Sequence, residues 1–362
     1  MATELADIFR RYGPQYQQKY GERIPYHHLK AMRAIETCRT EALGGQVYTC
    51  SECQQHQYSY HSCRNRHCPK CQAENGQVWL EKQQEMLLPV SYFMLTFTLP
   101  SGLREFARKH QRTMYDLFFR LSAETIQQVA KDPRFLGGQA GFLGVLHTWG
   151  RNLSYHPHIH YLVPAGALAA DGHSWLPARY KFLLPVKALS KIFRAKMREA
   201  LQKIGPDWPV PPEVWRQEWV VHCKPVGSGQ HALKYLAPYI FRVAIGNRRI
   251  LSCENSQVTF RYKTSDTGQE RLCTLNAEEF IHRFLQHVLP KGFVKVRYFG
   301  FFSSPSRKLL ADIKRQLPSL KSCKTSPQGT MLPAKAAHIC PICGHSMLLT
   351  NIIHPPKGLS PP

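Results

Sequence analysis

The chain has 362 residues, 43% of them apolar, and its 48 Lys and Arg against 24 Asp and Glu leave a formal charge of +24 at neutral pH. That length and apolar content support two or three domains with a packed core and exclude a wholly disordered chain. The charge excess is far beyond what solubility needs and points to a polyanion, nucleic acid, held through phosphate contacts with strongly salt-dependent affinity. An anionic membrane is the rival partner, but the longest apolar run, Val90 to Leu99, is too short to span a bilayer and carries Ser91 and two threonines. Met1 to Tyr20 is amphipathic and charged, so no export signal is expected. Twelve cysteines in such a chain point to metal ligation in a reducing compartment rather than to disulfides.

At the amino end Leu5, Ile8, Phe9 and Tyr12, then Leu29, Met32 and Ile35, recur at helical spacing, which predicts short helices around turns at Gly13-Pro14 and Gly21. Cys50-x2-Cys53 and Cys68-x2-Cys71 follow, separated by fourteen residues, and paired knuckles of this kind bring four thiolates round one zinc ion. Four sulfurs leave no open coordination position, so Cys50, Cys53, Cys68 and Cys71 are expected to form a structural site. Cys38, Cys63 and His67, with His56 and His61 close by, offer ligands for a second zinc, although histidine-rich loops often carry unligated members. Arg64, Arg66 and Lys70 put positive charge on the same tip, which suits a nucleic-acid contact; a purely structural platform is the alternative.

A linker helix is predicted over Leu80 to Leu88, ending at Pro89, and a central strand over Tyr92 to Thr98. Ser101 to about Lys131 reads as helix, with Arg104, Arg108, Lys109 and Arg112 in its first turns. Gly144 to Trp149 then reads as a strand, Gly150 to Ser154 as a turn, and Tyr155 to Val163 as a second strand containing His156-Pro157-His158-Ile159-His160. Side chains alternate along a strand, so His158 and His160 share a face, with Cα atoms roughly 6.5–7 Å apart. A hairpin centred near Asn152 sets His147 beside His158 on that face, because opposed residues in a ladder share a side. Three converging imidazoles predict a site for one metal ion, whereas a lone strand histidine is more often a satisfied surface or core residue. The order strand, helix, strand, strand opens an α+β sandwich with an antiparallel sheet.

Past a loop at Ala167 to Pro177, Val186 to Ile204 is an amphipathic helix with Leu189, Phe193, Met197 and Leu201 inside, and Trp219 to Cys223 a further strand. The turn Gly227-Ser228-Gly229 leads into a helix carrying Tyr235 and Tyr239, which share one face if the helix is continuous. Such a pair is usually core packing with the hydroxyls outward; the basic cluster Arg242, Arg248 and Arg249 and the upstream histidines add weight to catalysis as the alternative. Pro238 has no N–H and would kink the helix, so Tyr239 need not continue the face set by Tyr235. A hairpin is predicted around Glu254-Asn255-Ser256, its second strand turning Val258, Phe260 and Tyr262 one way and Arg261 and Lys263 the other, a basic surface suited to a DNA backbone. Asn276 and Glu279 pattern as a capping pair for a helix running to Pro290, a strand follows at Phe293 to Tyr298, and Arg307 to Leu317 is a basic amphipathic helix. Cys340-x2-Cys343 is half of a small zinc site, with His338 and Cys323 available to it.

Taken together, Cys38-Arg39-Thr40, Ser62 through Cys71, His156-Pro157-His158-Ile159-His160, Tyr235-Leu236-Ala237-Pro238-Tyr239 and Leu289-Pro290-Lys291-Gly292-Phe293 resemble the HUH-type transposases of the rolling-circle insertion sequences of the ninety-one group, over most of the chain. The resemblance implies an α+β fold with a central antiparallel sheet flanked by helices, of HUH-endonuclease type, an amino-terminal zinc-binding domain and a small carboxy-terminal knuckle. It implies a transposase that cleaves and rejoins single-stranded DNA at element ends and target through a 5′-phosphotyrosine, with Tyr235 favoured as the first nucleophile, because Pro238 kinks the helix, and Tyr239 as the second. One Mg or Mn ion would serve catalysis and Zn would be structural. Related relaxases place a histidine eleven residues before the first of the pair, which implies His147 as third ligand beside His158 and His160. A bacterial cytoplasmic, nucleoid-associated location with no membrane partner would follow, and oligomeric state stays open. The expected organisation is a helical, zinc-binding, DNA-contacting domain over 1–88, a catalytic domain over 89–300, and a basic helix and tail with the knuckle over 301–362. Two other readings fit the residues: a replication initiator or relaxase of the same chemistry, and a noncatalytic zinc-dependent DNA-binding protein in which His158 and His160 are structural.

Overall fold

A computed structural model describes residues 3–179, 181–205, 210–231, 233, 243–264, 267–317 and 338–356, without the side chains at 72–78 and 82. Helices α1 (Leu5–Tyr20) and α2 (Tyr26–Thr37) pack together at the amino end. Pro14 lies inside α1, where a turn was expected. The lost N–H is outweighed by packing, because Tyr12 and Tyr16 on either side are buried and a Cβ at Gly13 would already stand 3.3 Å from Met32 Cε. The helix stops instead at Gly21, whose φ of +49° suits glycine. Strands β1 (Gly45–Cys50) and β2 (His56–Tyr60) form a hairpin, and α3 (Pro69–Gln84) starts directly after Cys68, well before the expected Leu80.

The centre of the molecule is a five-stranded antiparallel sheet in the order β12-β4-β5-β3-β8. Its strands are β3 (Ser91–Thr98), β4 (Phe142–Trp149), β5 (Tyr155–Pro164), β8 (Val221–Ser228) and β12 (Val296–Phe299). Between β3 and β4 run α4 (Arg104–Lys109) and α5 (Gln111–Ala130), broken at His110. The expected loop after β5 contains a small ribbon, β6 (Gly166–Leu168) with β7 (Trp175–Pro177), before α6 (Val186–Ile204) and the short α7 (Pro212–Arg216). One sheet face, with Phe97, Leu146, Ile159, Tyr161 and Val163, is buried against α5 and α6. Gly144 sits opposite Tyr161, and a Cβ there would come within 2.5 Å of the ring, so glycine makes room for the buried tyrosine.

The other face is divided. Met94, Leu143, Val145 and Leu162 are covered by Phe301, Phe302 and helix α9 (Arg307–Gln316). Beyond them, on the same face by alternation, stand Thr96, His147, His158 and His160.

A second sheet, β9 (Ile250–Glu254), β10 (Gln257–Lys263) and β11 (Glu270–Asn276), leads into α8 (Ala277–Leu285). Asn276 caps α8 by accepting from the Glu278 N–H at 3.0 Å, while Glu279 pairs with Arg283 rather than returning to the cap. Val258, Phe260, Phe280 and Phe284 of this unit share a core with Leu5, Ile8, Phe9 and Met32. The Phe9 and Phe284 rings meet edge to face at 5.5 Å. At the other end of the chain, β13 (Met347–Ile353) pairs with β1, giving the order β13-β1-β2. Packing therefore cuts across the expected boundaries at 88/89 and 300/301.

Candidate active site

The antiparallel ladder pairs His147 with His158 and Val145 with His160. This register follows from a five-residue turn in which Gly150 N–H donates to the Ser154 carbonyl and Leu153 adopts φ +63°. The imidazoles lie at 5.3 Å (His147–His158), 5.1 Å (His147–His160) and 4.8 Å (His158–His160) between centroids, each pair inclined by 74–90°. One ring nitrogen from each falls within 4.8 Å of the others. His158 Nδ1–H donates to the His156 carbonyl at 2.7 Å, which leaves Nε2 as the nitrogen with a lone pair. His160 Nδ1 meets Thr96 Oγ1 at 2.9 Å. Burial holds both side chains neutral, lowering His158 to about 4 and His160 to about 3, the latter with help from its neighbours His158 and Lys224. Neutral imidazoles with one nitrogen anchored to protein are the form that takes a metal, so the donor set fits a divalent cation.

The surroundings brace this cluster. His156 Nδ1 accepts from Arg104 Nη2 at 2.7 Å. Buried His287 accepts at Nδ1 from the Thr148 hydroxyl and donates at Nε2 to the Leu153 carbonyl, both at 3.2 Å, fixing the hairpin on which His147 sits. The ladder shifts register between His147 and Trp149, and Thr148 between them is buried. Thr96, Arg104 and His287 were missed as site residues because each lies on another element, and no spacing in the sequence links them to the histidines.

Tyr235, Tyr239 and Arg242 lie outside the described residues, as does Cys323. Just before the tyrosines, Leu233 is buried with Met94, Leu143 and Leu162, on the sheet face that carries the histidines.

The cysteines require a correction. Cys50, Cys53, Cys68 and Cys71 do not meet: Cys68 and Cys71 join Cys38 and Cys63, whereas Cys50 and Cys53 join Cys340 and Cys343. The reason is the β1–β2 hairpin, whose tip carries Cys50 and Cys53, while Cys63 to Cys71 follow its open end, about 17 Å away for five residues of strand. In the first group Cys71 Sγ lies 3.5 Å from Cys38 Sγ and 3.6 Å from Cys63 Sγ. His67 is not among these ligands: its Nε2 accepts the Leu289 N–H at 3.3 Å.

The basic residues also divide. Arg66 donates to the carbonyls of Pro290, at 2.9 Å, and Phe293, and Lys70 pairs with Glu4 at 2.6 Å, so both tie elements together; Arg64 is exposed. Arg249 donates to the Arg261 and Arg151 carbonyls, and Arg261 to the Arg248 carbonyl, while Arg248, Arg261 and Lys263 remain exposed along β9 and β10. A larger cationic feature was not foreseen. A cleft of about 500 Å³ between α1 and the start of α5 is lined by Tyr16, Tyr20, Arg23, Arg108, Arg112 and His282 among others, and no described carboxylate lines it. Tyr20 stacks on His282 at 5.7 Å, and Arg108 lies one turn along α4 from Arg104, the partner of His156.

Residues 141–308 match a family model described as "Putative transposase", and residues 8–99 one described as "Transposase zinc-binding domain". The chain is 37% identical to "Putative transposase y4qJ" of Sinorhizobium fredii, across 96% of this chain and 94% of that protein. It is 28% identical to "Transposase for insertion sequence element IS801" of Pseudomonas savastanoi pv. phaseolicola, across 90% of this chain and 84% of that protein. No solved structure matches it. The chain belongs to the IS91-type family of insertion-sequence transposases. Membership makes it, in general terms, a DNA-binding enzyme of strand cleavage and transfer, and the zinc-binding match together with the thiol clusters supports structural zinc. Among the described residues no helix is long and apolar enough to cross a membrane.

Proposed function

We propose that this transposase cleaves and rejoins single-stranded DNA as an HUH-type enzyme, through a 5′-phosphotyrosine, with one Mg or Mn ion at His147, His158 and His160. The observation that carries this is the trio of imidazoles on one sheet face, His147 buried and His158 and His160 half-buried and held neutral, with nitrogens within 4.8 Å of one another. When bound there, the cation would polarise the nonbridging oxygens of one phosphodiester and offset charge as the phosphorus is attacked. The Tyr235 oxygen forms the new bond to phosphorus, the bond to the 3′ oxygen breaks, and the phenol proton leaves as the 3′ oxygen gains one. A phenol with an ordinary value near 10 is mostly protonated at neutral pH, so the attack depends on positioning and on help with that proton. Burial of Leu233, two residues earlier, beneath the histidine-bearing face supports Tyr235 as nucleophile. Tyr239 would hold the second strand in turn, and a free 3′-hydroxyl reverses the step to join DNA to a target.

The cleft offers the strand a path, with rings for bases and Arg23, Arg108 and Arg112 for phosphates, leading along α4 to Arg104 and His156. Arg64 and the exposed Arg248, Arg261 and Lys263 supply further phosphate contacts, and the +24 charge favours residence on the bacterial nucleoid.

The test is a labelled single-stranded oligonucleotide from an element end, incubated with the protein and Mn²⁺. A protein–DNA adduct that survives denaturation is expected, lost in Tyr235→Phe and retained for the first cut in Tyr239→Phe. No adduct on any such strand, with binding intact, would leave a noncatalytic DNA-binding protein.

A further inference from the structure

Two knuckles from opposite ends of the chain face each other. Cys50 N–H donates to the Gln55 carbonyl at 3.0 Å and Cys340 N–H to the His345 carbonyl at 2.8 Å, the same step of five residues. The residue after each second cysteine is left-handed, Gln54 at φ +58° and Gly344 at +75°. Backbone N–H groups of Glu52 and Cys53 are directed at Cys50 Sγ, and those of Ile342 and Cys343 at Cys340 Sγ. Across the gap Cys50 Sγ is 3.4 Å from Cys343 Sγ, and Cys53 Sγ is 3.5 Å from both Cys340 and Cys343. A disulfide needs about 2.05 Å. Four sulfurs about 2.3 Å from a tetrahedral zinc stand about 3.8 Å apart, which these spacings approach.

Besides its ladder to β1, the strand attached to the second knuckle is held by the Thr350 hydroxyl, which meets Thr49 Oγ1 and the Val47 carbonyl, and by the stack of Tyr48 on His338. β13 runs along β1 from the Cys50–Met347 pair to the Gly45–Ile353 pair, yet Leu348, Leu349 and Ile352 are at least half exposed. The buried cluster beneath it consists of Cys50, Cys340 and Met347, with Tyr48 and Cys343 against it. Apolar burial on that scale is small against the backbone entropy of ordering the strand.

We propose that one zinc ion bound by Cys50, Cys53, Cys340 and Cys343 clasps the carboxy-terminal strand to the amino-terminal hairpin, so that the tail stays docked only while the metal is held. The site is separate from the proposed strand chemistry, and it extends beyond the 8–99 zinc-binding match, which contains only two of its four ligands, Cys50 and Cys53.

Zinc is counted by elemental analysis in full-length protein carrying His158→Ala and His160→Ala, so that the histidine trio takes none. Two ions per chain are expected. Cys340→Ser with Cys343→Ser should leave one, Cys50→Ser with Cys53→Ser should leave one, and all four together should still leave one. A carboxy-terminal pair whose loss leaves two ions, or a fourfold variant that loses both, overturns the shared site. A second measurement keeps every cysteine: a protease site is placed between Leu317 and His338 and the chain is cut. The tail fragment should co-purify with the body in zinc buffer and be released by a chelator. Release with zinc present, or retention after the metal is stripped, overturns the clasp.

Discussion

Thr96 Oγ1 lies 2.9 Å from His160 Nδ1 across the β3–β5 ladder, where the two residues are direct partners. If the proposed cation sits at His160, the hydroxyl would fix the ring and the nitrogen turned toward it, a role that outer partners of ligating histidines commonly fill. Thr96→Val keeps the β-branched shape but removes the partner, so Mn²⁺ affinity should fall about 10–100-fold while thermal stability changes little. His158→Ala and His160→Ala should abolish metal-dependent adduct formation. A metal titration of adduct yield measures both, and a Thr96→Val curve that overlays the parent would remove Thr96 from the site.

Arg66 clamps two segments together, donating to the carbonyls of Pro290 and Phe293 from a half-buried position. Arg66→Ala leaves two acceptors short of partners and should lower stability by roughly 1–3 kcal/mol. The salt slope of DNA binding should stay unchanged. A loss of slope by about one phosphate contact, with stability intact, would return Arg66 to the interface.

His287 gives a signed pH dependence. Burial depresses it from 6.5 to about 4, so between those values the unfolded chain binds the extra proton and folding weakens as pH falls. The stabilisation is present above about 6.5, is lost toward pH 4, and is on the order of 3 kcal/mol over that span. His287→Gln should be less stable at pH 7 and show a shallower decline between pH 6.5 and 4.5. Parallel declines in thermal midpoint for the two proteins would rule the assignment out.

The cleft beside α4 predicts that Arg108→Ala with Arg112→Ala weakens single-strand binding, with a shallower dependence on salt, by about 0.7 per contact in the logarithmic plot. Zinc content should be untouched. Filter binding from low to moderate salt reads this directly, and an unaltered slope would move the strand path elsewhere, the basic β9–β10 face being the next candidate.

Much of the site could be read from the chain itself because it is local. Alternation along one strand sets His158 and His160 on a common face, and a short turn brings His147 opposite, so a hairpin of neighbouring residues assembles the whole trio. The same holds for α6, whose buried Leu189, Phe193, Met197 and Leu201 keep strict helical spacing. Tertiary structure decided what depends on distant partners. It split the amino-terminal cysteines between two clusters, since a hairpin of known register still says nothing of which sulfurs approach its tip and which its base. Arg66 became a strut and Pro14 a helical residue through surfaces supplied by segments far along the chain. Local periodicity is set by the backbone's own geometry and is written in consecutive residues, whereas pairing between the two ends is set by which buried arrangement has the lowest free energy, a property of the whole folded chain.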